Sequence, residues 1–148
     1  MKARFEMFTI LIAKVSRCIY KIKTEEMSEF NLKSSHVSCL YYLYKANTFT
    51  AKELCDLCGE DKANISRAVK HLESEGYIYC ESTAQKRYQT ALFLTEKGIT
   101  VGKSIAGKID RILEEASDGL TEESRTIFYQ TLSLICGNLE KICKRYGG

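Results

Sequence analysis

Arg67 and Lys70 stand three residues apart in the segment DKANISRAVKHLESEG, residues 61–76. If this segment is helical, at about 100° per residue, the two cations project on the same side as Ala63 and Ser74, with Asn64 and Ser66 flanking them. Ile65, Ala68, Val69 and Leu72 fall on the opposite side. The outward set has the chemistry to meet a phosphate or the edge of a base. A guanidinium fork fits a guanine edge or a phosphate, an ammonium suits a phosphate, a carboxamide can address adenine, and a hydroxyl can bond backbone or base. The plainer alternative is a solvated helix face, and the spacing alone leaves both open.

Cys55 and Cys58 form a C-x-x-C, the spacing of a zinc or redox pair. A structural zinc site needs a second pair of ligands, and neither the remaining thiols nor His36 and His71 are spaced to provide one. The seven cysteines are odd in number and lie mostly among apolar residues at helical spacing, so reduced, buried thiols are expected, with no metal and no cofactor. Neither histidine stands with a serine or cysteine in a nucleophile motif, and no glycine-rich phosphate loop occurs, which argues against an enzyme. Tyr41 and Tyr44 are expected in a core with their hydroxyls reaching the surface, and Tyr42 is expected to be exposed.

The net charge is +3, but residues 50–98 hold seven basic and eight acidic groups. A nucleic-acid reading must therefore rest on where the cations point. Glu60 and Asp61 precede the 61–75 helix and favour its N-terminus through the dipole. They also lie where phosphates would approach, so they read as capping groups that reduce non-specific affinity.

The chain is 148 residues long, 45% apolar and 28% charged, which suits one globular domain with a proper core. The opening MKARFEMFTILIAKVSRCIYKIK is interrupted by Lys14 and Arg17 and lacks a small-residue cleavage site, so it reads as an amphipathic helix rather than a leader. No apolar run approaches the roughly 18 residues of a membrane span. A cytoplasmic protein without membrane contact is expected.

The positioning elements follow from periodicity and punctuation. Phe8, Leu11, Ile12, Val15, Ile19 and Ile22 stripe a first helix over about 5–24, and Ser34 or Ser35 can cap a second carrying Val37, Leu40, Tyr41 and Tyr44. TAKE, residues 50–53, is a capping box that opens a short third helix ended by Gly59. The fourth helix, 61–75, runs into Gly76, and YIYCE and YQTALFL read as two strands joined by STAQKR. Thr95 caps a fifth helix with Ile105, Ile109, Ile112 and Leu113, and Gly119 and Thr121 mark the turn into a sixth. A short helix, a tight turn and a second helix followed at once by a hairpin describe a winged helix–turn–helix.

In TAKELCDLCGEDKANISRAVKHLESEGYI, LTEKG and GLTEESRTIFYQTLSLICGNLEKI the sequence resembles the MarR family of bacterial transcriptional regulators. The resemblance follows Asp61, Lys62, Ala63, Asn64, Ile65, Ser66 and Arg67 opening the fourth helix, and Leu72, Glu73 and Gly76 closing it. It implies a mainly α fold: a winged helix–turn–helix lobe over about 34–98 with a short β-hairpin wing, and terminal dimerisation helices over about 5–24 and 97–145. It further implies an obligate homodimer presenting two lobes to a pseudo-palindromic double-stranded DNA operator, through Lys62, Ala63, Asn64, Ser66, Arg67 and Lys70. Many members respond to small aromatic ligands, metals or oxidants. Such effectors lodge between the dimerisation helices and the lobe, where the second helix contributes.

One departure stands out. The family's wing often carries Asp-x-Arg before its second strand, and here those positions hold Lys86 and Tyr88 with Arg87 between them. Lys86 and Arg87 could contact phosphate or the minor groove without the aspartate brace. Some oxidant-sensing relatives use a thiol near the first helix, which makes Cys18, close to Lys14, Arg17 and Lys21, the redox candidate against a plain packing role. The expected function is a DNA-binding regulator, a repressor responsive to a ligand or oxidant. The alternatives are a winged-helix module that binds a protein partner, and a thiol-based sensor.

Overall fold

A computed structural model describes residues 4–81 and 87–147. The chain divides into two compact units, with the boundary between Ile109 and Asp110.

The first unit opens with α1 (Arg4–Glu26) and a short 3-10 turn, Ser28–Phe30, that Asn31 ends in the left-handed conformation. Helix α2 (Ser34–Ala46) starts one residue before the expected caps could act. Lys33 holds the N-cap position, and its backbone N–H donates to His36 Nδ1 at 3.1 Å. The imidazole thus plays the part that a glutamate plays in a capping box. Strand β1 (Thr48–Thr50) follows, then α3 (Ala51–Cys58), α4 (Lys62–Ser74), β2 (Ile78–Cys80), β3 (Ala91–Leu94) and α5 (Glu96–Ala116), whose residues up to Ile109 belong to this unit.

The expected capping box at Thr50 is present. Glu53 N–H donates to Thr50 Oγ1 at 3.2 Å, and Thr50 N–H donates to Glu53 Oε2 at 2.7 Å. Gly59, at φ +63°, closes α3 in a conformation that costs glycine little. Two features differ from expectation. Strand β1 pairs antiparallel with β3 in a sheet of order β1-β3-β2, although three residues carry too little alternation to announce a strand. Residues 87–89 form a 3-10 turn, so Tyr88 and Gln89, expected at the start of the second strand, lie outside it and β3 is only Ala91–Leu94. The hairpin register pairs Ile78 with Leu94 and Cys80 with Leu92.

One core holds the lobe together. Val37, Cys39, Leu40 and Leu43 from α2 meet Leu54 of α3, Ile65, Ala68 and Leu72 of α4, Ile78 and Leu92 of the sheet, and Ile105 of α5. Tyr42 packs against this core with Tyr41, which corrects the expectation that it is exposed. Burial, then the neighbouring Cys58 and Tyr41, push its hydroxyl pKa up.

The tight junction after α4 has a concrete basis. Gly76, at φ +78°, reverses the chain, and Tyr77 N–H returns to Leu72 O at 2.8 Å. Thr95 caps α5 by accepting from Gly98 N–H at 3.1 Å, and its hydroxyl donates to Gly76 O at 2.5 Å. One side chain therefore joins the end of α4 to the start of α5. Thr95→Ala is expected to destabilise the chain by about 1–2 kcal/mol, the upper range for a lost cap, read from chemical denaturation. A cost near zero would show that the junction does not depend on this hydroxyl.

The second unit contains the end of α5, a turn with Gly119 at φ +82°, and α6 (Glu122–Lys144). Thr121 caps α6, accepting from Ser124 N–H at 3.1 Å. No side chain of α6 is buried, and Ile127, Phe128 and Leu134 stand open at 55%, 52% and 67% exposure. In the first unit α1 is similarly bare: Met7, Ile10, Leu11, Val15 and Ile19 are each more than half exposed. Among the described residues no helix is long and apolar enough to cross a membrane.

Candidate nucleic-acid interface

The 61–75 segment is helical, and its two faces divide as the periodicity required. Ile65, Ala68 and Leu72 are buried, and Val69 packs on the core. Lys62, Ala63, Ser66, Arg67 and Lys70 are exposed, and Asn64 is half-buried. Asp61 is the N-cap, its Oδ1 accepting from Asn64 N–H at 2.7 Å. An aspartate there satisfies an orphan amide and complements the helix dipole.

Asn64 does more than flank the cations. Its Nδ2 donates to Glu60 Oε2 at 3.0 Å, while its Oδ1 accepts from Arg67 Nη2. Glu60, Asn64 and Arg67 thus form a chain that fixes the guanidinium before any ligand arrives. One of its two Nδ2 hydrogens and one Oδ1 lone pair are thus engaged, so a bidentate contact of Asn64 with adenine would compete with both bonds. Sequence periodicity gives a side chain's direction but not its engagement, so this positioning role was not legible from spacing. Glu60 is likewise a brace on Asn64 rather than a cap.

Tyr88 is the residue that sequence reasoning undervalued. Its hydroxyl donates to Cys55 Sγ at 3.1 Å, a bond that pushes its pKa up to about 12, and its body packs against the core. Lys62 Nζ lies 4.6 Å from the centre of its ring, a cation–π distance. The position where the family's wing often carries an outward arginine is therefore turned inward, and it supports Lys62 instead. Lys86 lies outside the described residues. The backbone of Arg87 opens the 3-10 turn, and its side chain lies outside them as well.

Behind α4, His36 and His71 stack with ring centres 4.3 Å apart. Both line a groove of about 690 Å³ together with Lys33, Asn64 and Arg67. His36 is 7% exposed, and burial, then His71 and Lys33, lower its pKa to about 4. The unfolded chain, with a histidine near 6.5, binds the extra proton first, so stability is full above about pH 6.5 and is lost progressively as pH falls to about 4. The loss is expected to reach at most about 3 kcal/mol, and His36→Gln should flatten this part of a stability–pH curve. An unchanged slope in that variant would place the titrating group elsewhere.

Within the C-x-x-C, Cys55 accepts from the Tyr88 hydroxyl, and both Cys55 and Cys58 are half-buried free thiols packed against the core. Cys18 is exposed on α1. Among the described residues no group of three or more His, Cys, Asp or Glu could hold a metal.

Comparison with known proteins bears on this geometry. Residues 30–87, which run from the turn after α1 to the base of the wing, match the model of the MarR family. Over that segment the chain resembles the MarR family. Among its relatives, the HTH-type transcriptional regulator YybA of Bacillus subtilis (strain 168) is 25% identical over 130 residues, covering 88% of this chain and 87% of that protein. A MarR family regulator from Listeria monocytogenes, solved with a 26mer DNA, superposes with a TM-score of 0.79 at 24% identity, covering 93% of each chain. The S. aureus MepR–DNA complex gives 0.76 at 18% identity, with 89% of this chain and 96% of that chain covered. These structures share the six-helix winged fold with its small antiparallel sheet.

Proposed function

We propose that this chain is a MarR-type, sequence-specific, DNA-binding transcriptional repressor that acts as a homodimer. The observation that carries the reading is the outer face of α4, where Lys62, Ser66 and Lys70 are exposed together with Arg67, whose guanidinium is already held by Asn64, itself braced by Glu60. Preorganisation lowers the entropy lost when a flexible side chain docks on a base edge or phosphate. Two proteins of the same fold have been solved with DNA, which supports a duplex as the ligand.

The bare apolar stripes of α1 and α6 support the homodimer. An amphipathic helix gains most of its stability by burying its apolar face, and the resemblance to the MarR family implies a second copy as the partner. Two α4 faces held about 34 Å apart would enter successive major grooves of a pseudo-palindrome. A small molecule would release the protein by favouring another lobe spacing. The groove behind α4 is within the size range of small-ligand sites, and Lys33 and Arg67 give it a cationic rim. In the oxidant-responsive version Cys18 is the sensor. Peroxide then weakens DNA binding, and Cys18→Ser abolishes the change.

The test is selection of bound duplexes from random DNA, with an Arg67→Ala control. Wild type should enrich a pseudo-palindromic sequence, and the variant should enrich it weakly or not at all. No enrichment by wild type would defeat the reading. The inward Tyr88 and the near-neutral 50–98 segment favour the second reading, a winged-helix module that binds a protein partner.

A further inference from the structure

The cations of α4 stand in two rows, and each row has its own brace. Arg67 borders the groove behind the helix with His71, and it is held through Asn64 and Glu60. Lys62, Ser66 and Lys70, spaced four residues apart, make a second row along the exposed side of the helix. Tyr88 lies against this second row, since with Leu92 of β3 it borders a small pocket that Ser66 and Lys70 also line. At the head of the row the Lys62 ammonium stands over the Tyr88 ring, 4.6 Å from its centre. The ring is fixed in turn. Its hydroxyl donates to Cys55 Sγ of α3 at 3.1 Å, and its body packs on the core.

Lys62 is the first residue of α4, where the helix dipole disfavours a cation. Its own helix therefore does nothing to hold the ammonium, and the four-carbon stem has many rotamers to choose from. The electron-rich face of a tyrosine supplies the missing attraction. A carboxylate in the same place would neutralise the ammonium, whereas a ring face positions it and leaves the full charge for a ligand. An ammonium also lacks the planar fork of a guanidinium and meets phosphate as a point charge.

We infer that Tyr88 is a positioning residue for duplex binding: its ring holds the Lys62 ammonium at the N-terminal end of α4, where it meets a backbone phosphate of the operator. The inference rests on the regulator reading above and adds a second preset cation to the face that already carries Arg67. Tyr88 acts only through Lys62. It also ties the base of the wing to the start of the recognition helix, because one ring touches Cys55 of α3 and Lys62 of α4.

The first arm of the test uses the free protein and proton NMR, since methylene protons held over an aromatic face resonate upfield. The Hε protons of Lys62 should be upfield in wild type and return to the ordinary position in Tyr88→Leu. Lys97, whose ammonium lies over the Tyr77 ring, should keep its shift in the variant and so report an intact fold. An ordinary Lys62 shift in wild type would overturn the perch. The second arm measures affinity against salt for the duplex enriched by selection and for a scrambled duplex. Lys62→Ala should weaken both by the same factor and make the slope of log K against log salt shallower by about one per lobe. Tyr88→Leu should weaken binding by about two- to fivefold per lobe, the factor that a surface cation–π contact corresponds to, and should cost nothing further in the Lys62→Ala background. Tyr88→Phe keeps the ring and should bind nearly as wild type, and adding fluorines to that phenylalanine should weaken binding stepwise as the ring face loses electron density. Additive losses in the double variant, or a flat fluorine series, would overturn the positioning role. A Lys62→Ala loss confined to the selected sequence would overturn the phosphate as the ligand. Failure of the regulator reading is a different result: wild type then binds no duplex, whereas failure of this inference leaves wild type bound and Tyr88→Leu equal to it.

Discussion

Gly98→Ala should unfold this protein at a much lower denaturant concentration than wild type, with a loss of about 3 kcal/mol or more, at or beyond the usual cost of overpacking. Gly98 sits in the first turn of α5, and a methyl group built on it would lie 2.0 Å from Tyr77 O and 3.0 Å from Tyr77 C. Those atoms are backbone, not the far end of a flexible side chain. They are also fixed, because Thr95 N–H bonds the same Tyr77 carbonyl at 3.0 Å. Relief requires moving α5 away from the chain that leaves α4, which breaks the Thr95 bridge and disturbs the hairpin register at Ile78 and Leu94. Equilibrium denaturation measures the loss. A change below about 0.5 kcal/mol, the scale of an ordinary surface substitution, would mean that the junction yields easily.

A double substitution in α6, Ile127→Asp with Leu134→Asp, is expected to convert a dimer into a monomer and to weaken binding to a full two-half-site duplex by a factor on the order of 10²–10⁴, the advantage of linked binding. Both side chains are more than half exposed in the single chain, so the substitutions remove no packing from it. In a dimer they would place two charges from each copy inside an apolar interface, where an unpaired carboxylate is strongly disfavoured. Sedimentation equilibrium gives the assembly state, and titration of duplexes with one or two half-sites gives the binding loss. Retention of the dimer would move the interface away from this face of α6. Loss of the dimer with unchanged affinity for the full site would remove the reason for pairing the lobes.

The parts of this fold that showed in the sequence have local causes. The faces of α4 follow from Ile65, Ala68 and Leu72 against Lys62, Arg67 and Lys70, because a 3.6-residue repeat directs side chains whatever the tertiary context. The caps at Thr50, Thr95 and Thr121 follow from side chains that bond their own helix. The parts that did not show depend on contacts across the chain. Strand β1 exists because Thr48–Thr50 finds β3 more than forty residues later. Tyr88 turns inward because Cys55 and Lys62 meet it there. The site was legible as a list of exposed cations; its preorganisation through Glu60 and Asn64 was not, since both residues also suit simple capping roles.

Residues 50–98 carry no net positive charge, so the account stands on the placement of a few cations rather than on bulk attraction. The measurement that tests this most directly is the salt dependence of affinity for a selected duplex, compared among wild type, Lys70→Ala and Arg67→Ala. Each phosphate neutralised contributes about 0.9 to the slope of log K against log salt. Wild type should show a steep negative slope, Lys70→Ala a slope shallower by about one, and Arg67→Ala a loss of about 1–3 kcal/mol that is largest for the selected sequence. A wild-type affinity indifferent to salt, or slopes and affinities that neither substitution alters, would contradict the claim that the outer face of α4 meets DNA.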